Sequence, residues 1–299
     1  MASPTRSKLK SQAAHRRIGK HYASVNGVSV AADGRVLSAS MGRPKRGQVL
    51  LWDGGREGTC LGEFGTETGG VCWYAEMSSD RRTVAAGFGD CSLRLWDAET
   101  KETTTLTVLD GIVASVAFSA DGKVLFTGDC SASQVRLWDV AERNLIAEGK
   151  TKKSGGWIVA LSPDGTRGLS GAADKLVHVW STRDGKEIAA LEGHAGRILS
   201  LAFHPDGRRA VSGSQDKTAR IWDIARGTVL LELGGNKKAV ESVSISPDGS
   251  SVATVAKDTL RIFDFDTGAE RASLHLGETR SPTIAYAPSG AEGVAGFEK

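Results

Sequence analysis

Several signatures of chemistry are missing from this chain of 299 residues. No apolar run approaches the ~18 residues needed to cross a bilayer as a helix, and no apolar signal region follows Met1. The four cysteines, Cys60, Cys72, Cys91 and Cys130, contain no Cys-x-x-Cys pair and meet no histidine cluster at zinc spacing. They read as small buried or half-buried thiols in a reducing compartment, and no metal or cofactor is expected. Lysine and arginine total 38 against 35 acids, a net charge of +3, which gives no global attraction to nucleic acid or membrane. Acidic residues are absent from residues 1–24, which carry Arg6, Lys8, Lys10, Arg16, Arg17 and Lys20. A solvated basic tail, a transit peptide and a nucleic-acid arm remain open for that segment.

Catalytic motifs are incomplete too. Gly149-Lys150-Thr151 resembles the end of a phosphate loop, but Asn144 stands where its first glycine belongs. Leu169-Ser170-Gly171 has no helix after it to make a nucleophile elbow. The chain is therefore expected not to be an enzyme.

What is present is repetition. The stretch Leu191–Asp223 holds three short apolar runs separated by Pro205-Asp206-Gly207 and Gln215-Asp216-Lys217. Runs of this length are too short for helices, and Pro-Asp-Gly supplies a fixed φ followed by a residue tolerant of positive φ. The stretch predicts an antiparallel meander. Its ending recurs at Trp52-Asp53, Trp96-Asp97, Trp138-Asp139, Trp180-Ser181, Trp222-Asp223 and Phe263-Asp264, in steps of 44, 42, 42, 42 and 41 residues. Its first turn recurs seven times, from Asp33-Gly34 to Ser289-Gly290. With these two landmarks in step, the chain over residues 25–299 resembles the WD40 repeat family.

That resemblance implies an all-β, seven-bladed propeller, with the seventh blade incomplete or closed by the N-terminal segment. It implies one propeller domain, 25–299, behind the tail 1–24. It also implies a buried structural tetrad, His194, Ser212, Asp216 and Trp222, in the fifth unit. The fourth unit keeps Ser170, Asp174 and Trp180 without the histidine. The second keeps Asp90 and Trp96, with Ala86 at the serine position. In the sixth, Phe263 replaces the tryptophan and has no N–H to donate.

The same resemblance places partner binding on the face that collects the loops leading into each repeat. Candidates there are Arg43, Lys45 and Arg46; Lys150, Lys152 and Lys153; and Lys237 and Lys238. The acids Glu57, Glu63 and Glu67 fall on the same face. Trp73 and Trp157 each stand seven residues before a hairpin aspartate, at the start of an inner strand near the channel mouth. The expected function is a non-catalytic scaffold for protein or peptide partners, a subunit of a larger complex in the cytoplasm, with the nucleus or an organelle as the alternative locations. The alternatives are an RNA-associated subunit using the basic loops and tail, and a substrate receptor of a ubiquitin ligase, for which Trp180-Ser181-Thr182-Arg183 is the nearest motif. No membrane partner is expected.

Overall fold

The computed structural model describes residues 25–31, 33–40, 47–53, 59–65, 70–106, 111–130, 133–151, 158–277, 280–286 and 293–298. All regular elements among them are strands, joined in chain order into antiparallel sheets. Blade one is Val25–Val30, Val36–Ser40, Gln48–Trp52 and Cys60–Gly65. Blade two is Cys72–Met77, Thr83–Phe88, Leu93–Asp97 and Thr103–Leu106. Blade three is Val113–Phe118, Val124–Asp129, Gln134–Asp139 and Asn144–Lys150. Blade four is Ile158–Leu161, Arg167–Gly171, Val177–Ser181 and Glu187–Leu191. Blade five is Ile198–Phe203, Arg209–Ser214, Ala219–Asp223 and Thr228–Leu233. Blade six is Ser242–Ile245, Ser251–Ala256, Thr259–Asp264 and Glu270–His275.

The expectation of seven blades is corrected to six. At the seventh station stands a two-stranded hairpin, Arg280–Tyr286 with Gly293–Glu298. Among the described residues two strands pair there, against four in each of the six blades. The hairpin's first strand packs against blade six and both its strands against the first strand of blade one, so the inner strands close a ring. Closure by residues 1–24 lies outside the described residues.

Blades two, three, four and six turn on the same local chemistry. Asp80, Asp121, Asp164 and Asp248 each accept from a serine hydroxyl two residues earlier (2.5–2.6 Å) and from the backbone N–H two residues later. This side-chain-mimicked turn needs a left-handed residue after the aspartate. Glycine supplies it at Gly122 and Gly165 (φ 71° and 68°), and Arg81 adopts it without glycine's freedom (φ 66°).

The core lies between blades rather than within them. Leu37, Val49, Leu51 and Phe64 of blade one pack against Ala75, Val84, Phe88 and Trp96 of blade two. The pattern repeats around the ring, for example with Leu169, Val177 and Val179 of blade four beneath Leu201, Ala210 and Trp222 of blade five. One twisted sheet has two apolar faces to cover, and neighbours cover them. Close approach has a cost in side chains: a methyl added to Gly171 would lie 2.7 Å from Ile198 of the next blade.

The innermost strands also latch to one another. Ser115 Oγ accepts from Val159 N–H (3.3 Å), Ser200 Oγ from Val243 N–H (3.0 Å) and Ser242 Oγ from Ile284 N–H (3.1 Å), so each side chain caps an edge amide of the following blade. Between blades two and three the capping group is a carboxyl, Glu76, which accepts from Phe118 N–H at 3.3 Å.

The outermost strands are the exposed ones. In blades one, three, four, five and six each carries a β-bulge opposite the end of the third strand, and the extra residue is Leu61, Ile146, Ile188, Leu230 or Arg271. The four aliphatic ones are exposed to solvent. Of the cysteines, none is paired; Cys72 is buried, Cys91 and Cys130 are half-buried, and Cys60 is exposed, contrary to expectation.

Candidate functional site on the loop face

In every blade the chain enters through a loop on one face, turns on the opposite face, and turns again on the first. The leading loops and the turns between second and third strands therefore share a face. Beneath that face in blade five, four side chains form one hydrogen-bonded chain. Trp222 Nε1–H donates to Ser212 Oγ (2.7 Å), and Ser212 lies 2.7 Å from His194 Nε2. His194 Nδ1 lies 2.7 Å from Asp216 Oδ2. Asp216 also accepts from Ala195 N–H (2.9 Å) and from Thr218 through its N–H (3.0 Å) and hydroxyl (2.7 Å). Burial pushes the Asp216 carboxyl up, but the donors from Thr218, His194 and Ala195 outweigh it and hold it well below the usual carboxylate range. Burial likewise pushes His194 down, against the pull of Asp216.

A Ser–His–Asp sequence of hydrogen bonds invites a catalytic reading. The surroundings oppose it. Ser212 is fully buried, its oxygen already accepts an indole N–H, and both histidine nitrogens are occupied. A nucleophile needs an exposed oxygen and a base free to take its proton. This set binds the leading loop to the blade beneath it.

The other blades reach related ends by different means. In blade four, Trp180 Nε1–H donates to Ser170 (2.8 Å), and Asp174 is met by His178 Nε2 at 2.8 Å. His178 sits on the third strand, not in the leading loop, and its Nδ1 contacts Glu187 at 2.9 Å. In blade three Trp138 donates to Thr127 (3.1 Å) and Arg136 to Asp129 (2.9 Å). In blade two Arg94 donates to Asp90 (2.8 Å) and lies 4.9 Å over the Phe88 ring. Trp96, facing Ala86 rather than a hydroxyl, packs its ring against Phe64 and Phe88 at 5.9 Å each. Blade one has Trp52 on Ser38 (2.6 Å). The cationic partners of these aspartates were missed in the sequence, although one column holds them: Arg94, Arg136 and His178 each stand two residues before the terminal tryptophan.

Blade six departs furthest. Asn236 occupies the loop position of His194, 42 residues on, and Thr254 occupies that of Ser212. Phe263 brings no donor. Thr254 Oγ1 and both amide atoms of Asn236 are buried without a hydrogen-bond partner among the described residues. Phe263→Trp should hand Thr254 an indole N–H and raise stability by about 1 kcal/mol. In a Thr254→Val background the same change should gain nothing; an equal gain there, read by urea melts, would remove the hydrogen-bond explanation.

Of the partner-binding candidates, Trp73 is 40% exposed on the inner strand of blade two. Lys150, Lys237 and Lys238 are exposed on the loop face. Arg43, Lys45, Arg46, Lys152, Lys153 and Trp157 lie outside the described residues, as do Glu57 and Glu67. On the opposite face a cleft of about 440 Å³ opens between blades two and three, lined by Trp96, Asp97, Glu102 and Arg143 among others.

Comparison with known proteins agrees with this geometry. A family model described as "WD domain, G-beta repeat" matches residues 58–97, 101–139, 151–181, 185–223 and 227–264. The chain is 28% identical over 116 residues to Protein groucho of Drosophila melanogaster, covering 38% of this chain and 16% of that protein. It is 28% identical over 122 residues to Autophagy-related protein 16 of Arabidopsis thaliana, covering 41% and 24%. It is 36% identical over 92 residues to Transducin beta-like protein 3 of Rattus norvegicus, covering 30% and 11%. The matched stretches thus span between 11% and 24% of those relatives' lengths.

Proposed function

Because this chain belongs to the WD40 repeat family, we propose that it is a non-catalytic platform holding a protein or peptide partner against its loop face. The observation that carries this reading is the contrast between the two kinds of residue on that face. The chemically suggestive His–Asp pair is buried and fully bonded, whereas Trp73 is 40% exposed where the inner strand begins. Tryptophan is over-represented among the residues that dominate interface energies, and Trp73 is the exposed tryptophan among the described residues. The partners of the relatives do not transfer, since only a fraction of each relative is matched.

The test is crosslinking of the chain to its partners in its native source, followed by mapping of the linked peptides. Links should concentrate on 192–197, 234–241 and the start of the Cys72–Met77 strand, and Trp73→Ala should lower partner recovery at least about tenfold with unchanged melting. Links confined to the hairpin-turn face, or recovery indifferent to Trp73, would overturn the proposal.

A further inference from the structure

Among the described residues of the loop face, five exposed lysines lie over three consecutive blades. The turn between second and third strands carries a left-handed lysine in blades four, five and six: Lys175 (φ 72°), Lys217 (φ 74°) and Lys257 (φ 51°). All three are exposed. The loop leading into blade six adds the exposed pair Lys237-Lys238. At the matching position in blade two stands Cys91, with no cation beside it.

These segments are tied into one continuous ledge. Ile198 N–H, at the end of the loop entering blade five, donates to Ala172 O of the blade-four turn (3.0 Å). Gln215 N–H of the blade-five turn donates to Arg197 O (2.9 Å), and Val240 N–H of the next loop donates to Ser214 O (2.9 Å). Glu241 N–H then reaches Val255 O (2.9 Å), at the base of the turn that presents Lys257. These backbone bonds join the turns and leading loops that carry the lysines of blades four to six. Two acids of these turns are bound to histidines, Asp174 to His178 and Asp216 to His194, whereas in blade six Asp258 stands unburied next to Lys257 and Glu241 lies close enough to act on the same lysine. Glu192 is the exposed acid of the loop entering blade five.

We propose that this lysine ledge over blades four to six receives an extended acidic peptide segment of a partner. The inference rests on the platform reading above and names the chemistry of what docks there. Lysine ammonium groups act as point charges that match carboxylates at many orientations. Single-stranded RNA would also be attracted, but among the described residues no exposed aromatic side chain stands on the ledge to stack a base. A peptide needs only the charges and the adjoining backbone.

The experiment uses the full chain, a fluorescein-labelled peptide of twelve residues alternating Glu and Ser, and an oligouridylate of equal charge. The fourfold variant Lys175→Gln, Lys217→Gln, Lys237→Gln, Lys238→Gln removes exposed charges and leaves the aspartate-bound turns intact. The wild type should bind the peptide at low salt, more tightly than the oligouridylate, and the variant should weaken peptide binding about tenfold or more. Lys186→Gln, an exposed lysine of the opposite face, should leave it unchanged. Peptide binding indifferent to the four lysines, no peptide binding, or preference for the oligouridylate would each overturn the ledge. If the ledge fails while Trp73→Ala still abolishes partner crosslinking, the platform stands without it.

Discussion

Asp216→Ala should destabilise the propeller by about 3–5 kcal/mol, whereas Lys257→Ala should change stability by no more than about 0.5 kcal/mol. The difference follows from what each removes. Asp216 closes four hydrogen bonds, to His194, Ala195 and both donors of Thr218, and without it His194 and Ala195 are left facing an apolar gap. Lys257 is exposed on a turn. Urea melts of the two variants beside the wild type decide the matter, and equal effects would dismiss the network as a structural element. The pH dependence has a fixed sign. The folded carboxyl is depressed below its usual value of 3.8. Its contribution is therefore whole above that value and is lost as pH falls below about 4. Asp216→Ala should accordingly cost less in acid than at neutrality.

Glu76→Gln should do the reverse and stabilise the protein, by roughly 2 kcal/mol at pH 8 and by almost nothing at pH 4. At the corresponding place between blade six and the hairpin a serine, Ser244, accepts from Tyr286 N–H; here desolvation pushes a carboxyl from 4.5 up to about 8, and the Phe118 N–H only partly offsets it. The folded state keeps a proton that the unfolded chain releases. Stability from Glu76 is complete below about pH 4.5 and drains away as pH climbs to 8. Glutamine has the shape of the protonated acid and still accepts from Phe118. Full linkage would amount to about 1.4 kcal/mol per pH unit, and half-burial lets water recover part of it. Melts at pH 4, 6 and 8 should show the gap between variant and wild type widening with pH. A constant gap would mean that the carboxyl does not titrate in this window.

How much of this could be read from the residues depends on which landmark is used. Each Trp-Asp ending closes a third strand, and counting the endings returns six, the number of complete blades. Counting hairpin turns returned seven, because a turn requires only two strands, and two are what pair at the seventh station among the described residues. The polar chain beneath blade five was legible as Gly193-His194, a local pair of letters. His178, Arg94 and Arg136 were not, since they serve aspartates four or seven residues upstream from a strand whose alternation looks ordinary. Asn236 becomes visible as a stand-in for histidine only once Leu233 and Val240 are placed opposite their counterparts Leu191 and Ile198. The lysine ledge escaped notice for a similar reason: Lys175, Lys217 and Lys257 are scattered along the chain and meet only when the blades are set side by side.

The bulges on the outer strands bear on how the molecule behaves in a crowded solution. A smooth rim of paired backbone would offer any stray extended chain a template, and fibrils would follow. Leu61, Ile146, Ile188 and Leu230 each interrupt that template by one residue, so that a foreign strand finds its ladder out of step after a few bonds. The exposed aliphatic side chains at the circumference therefore sit where the backbone ladder is broken, which disfavours growth by strand addition there.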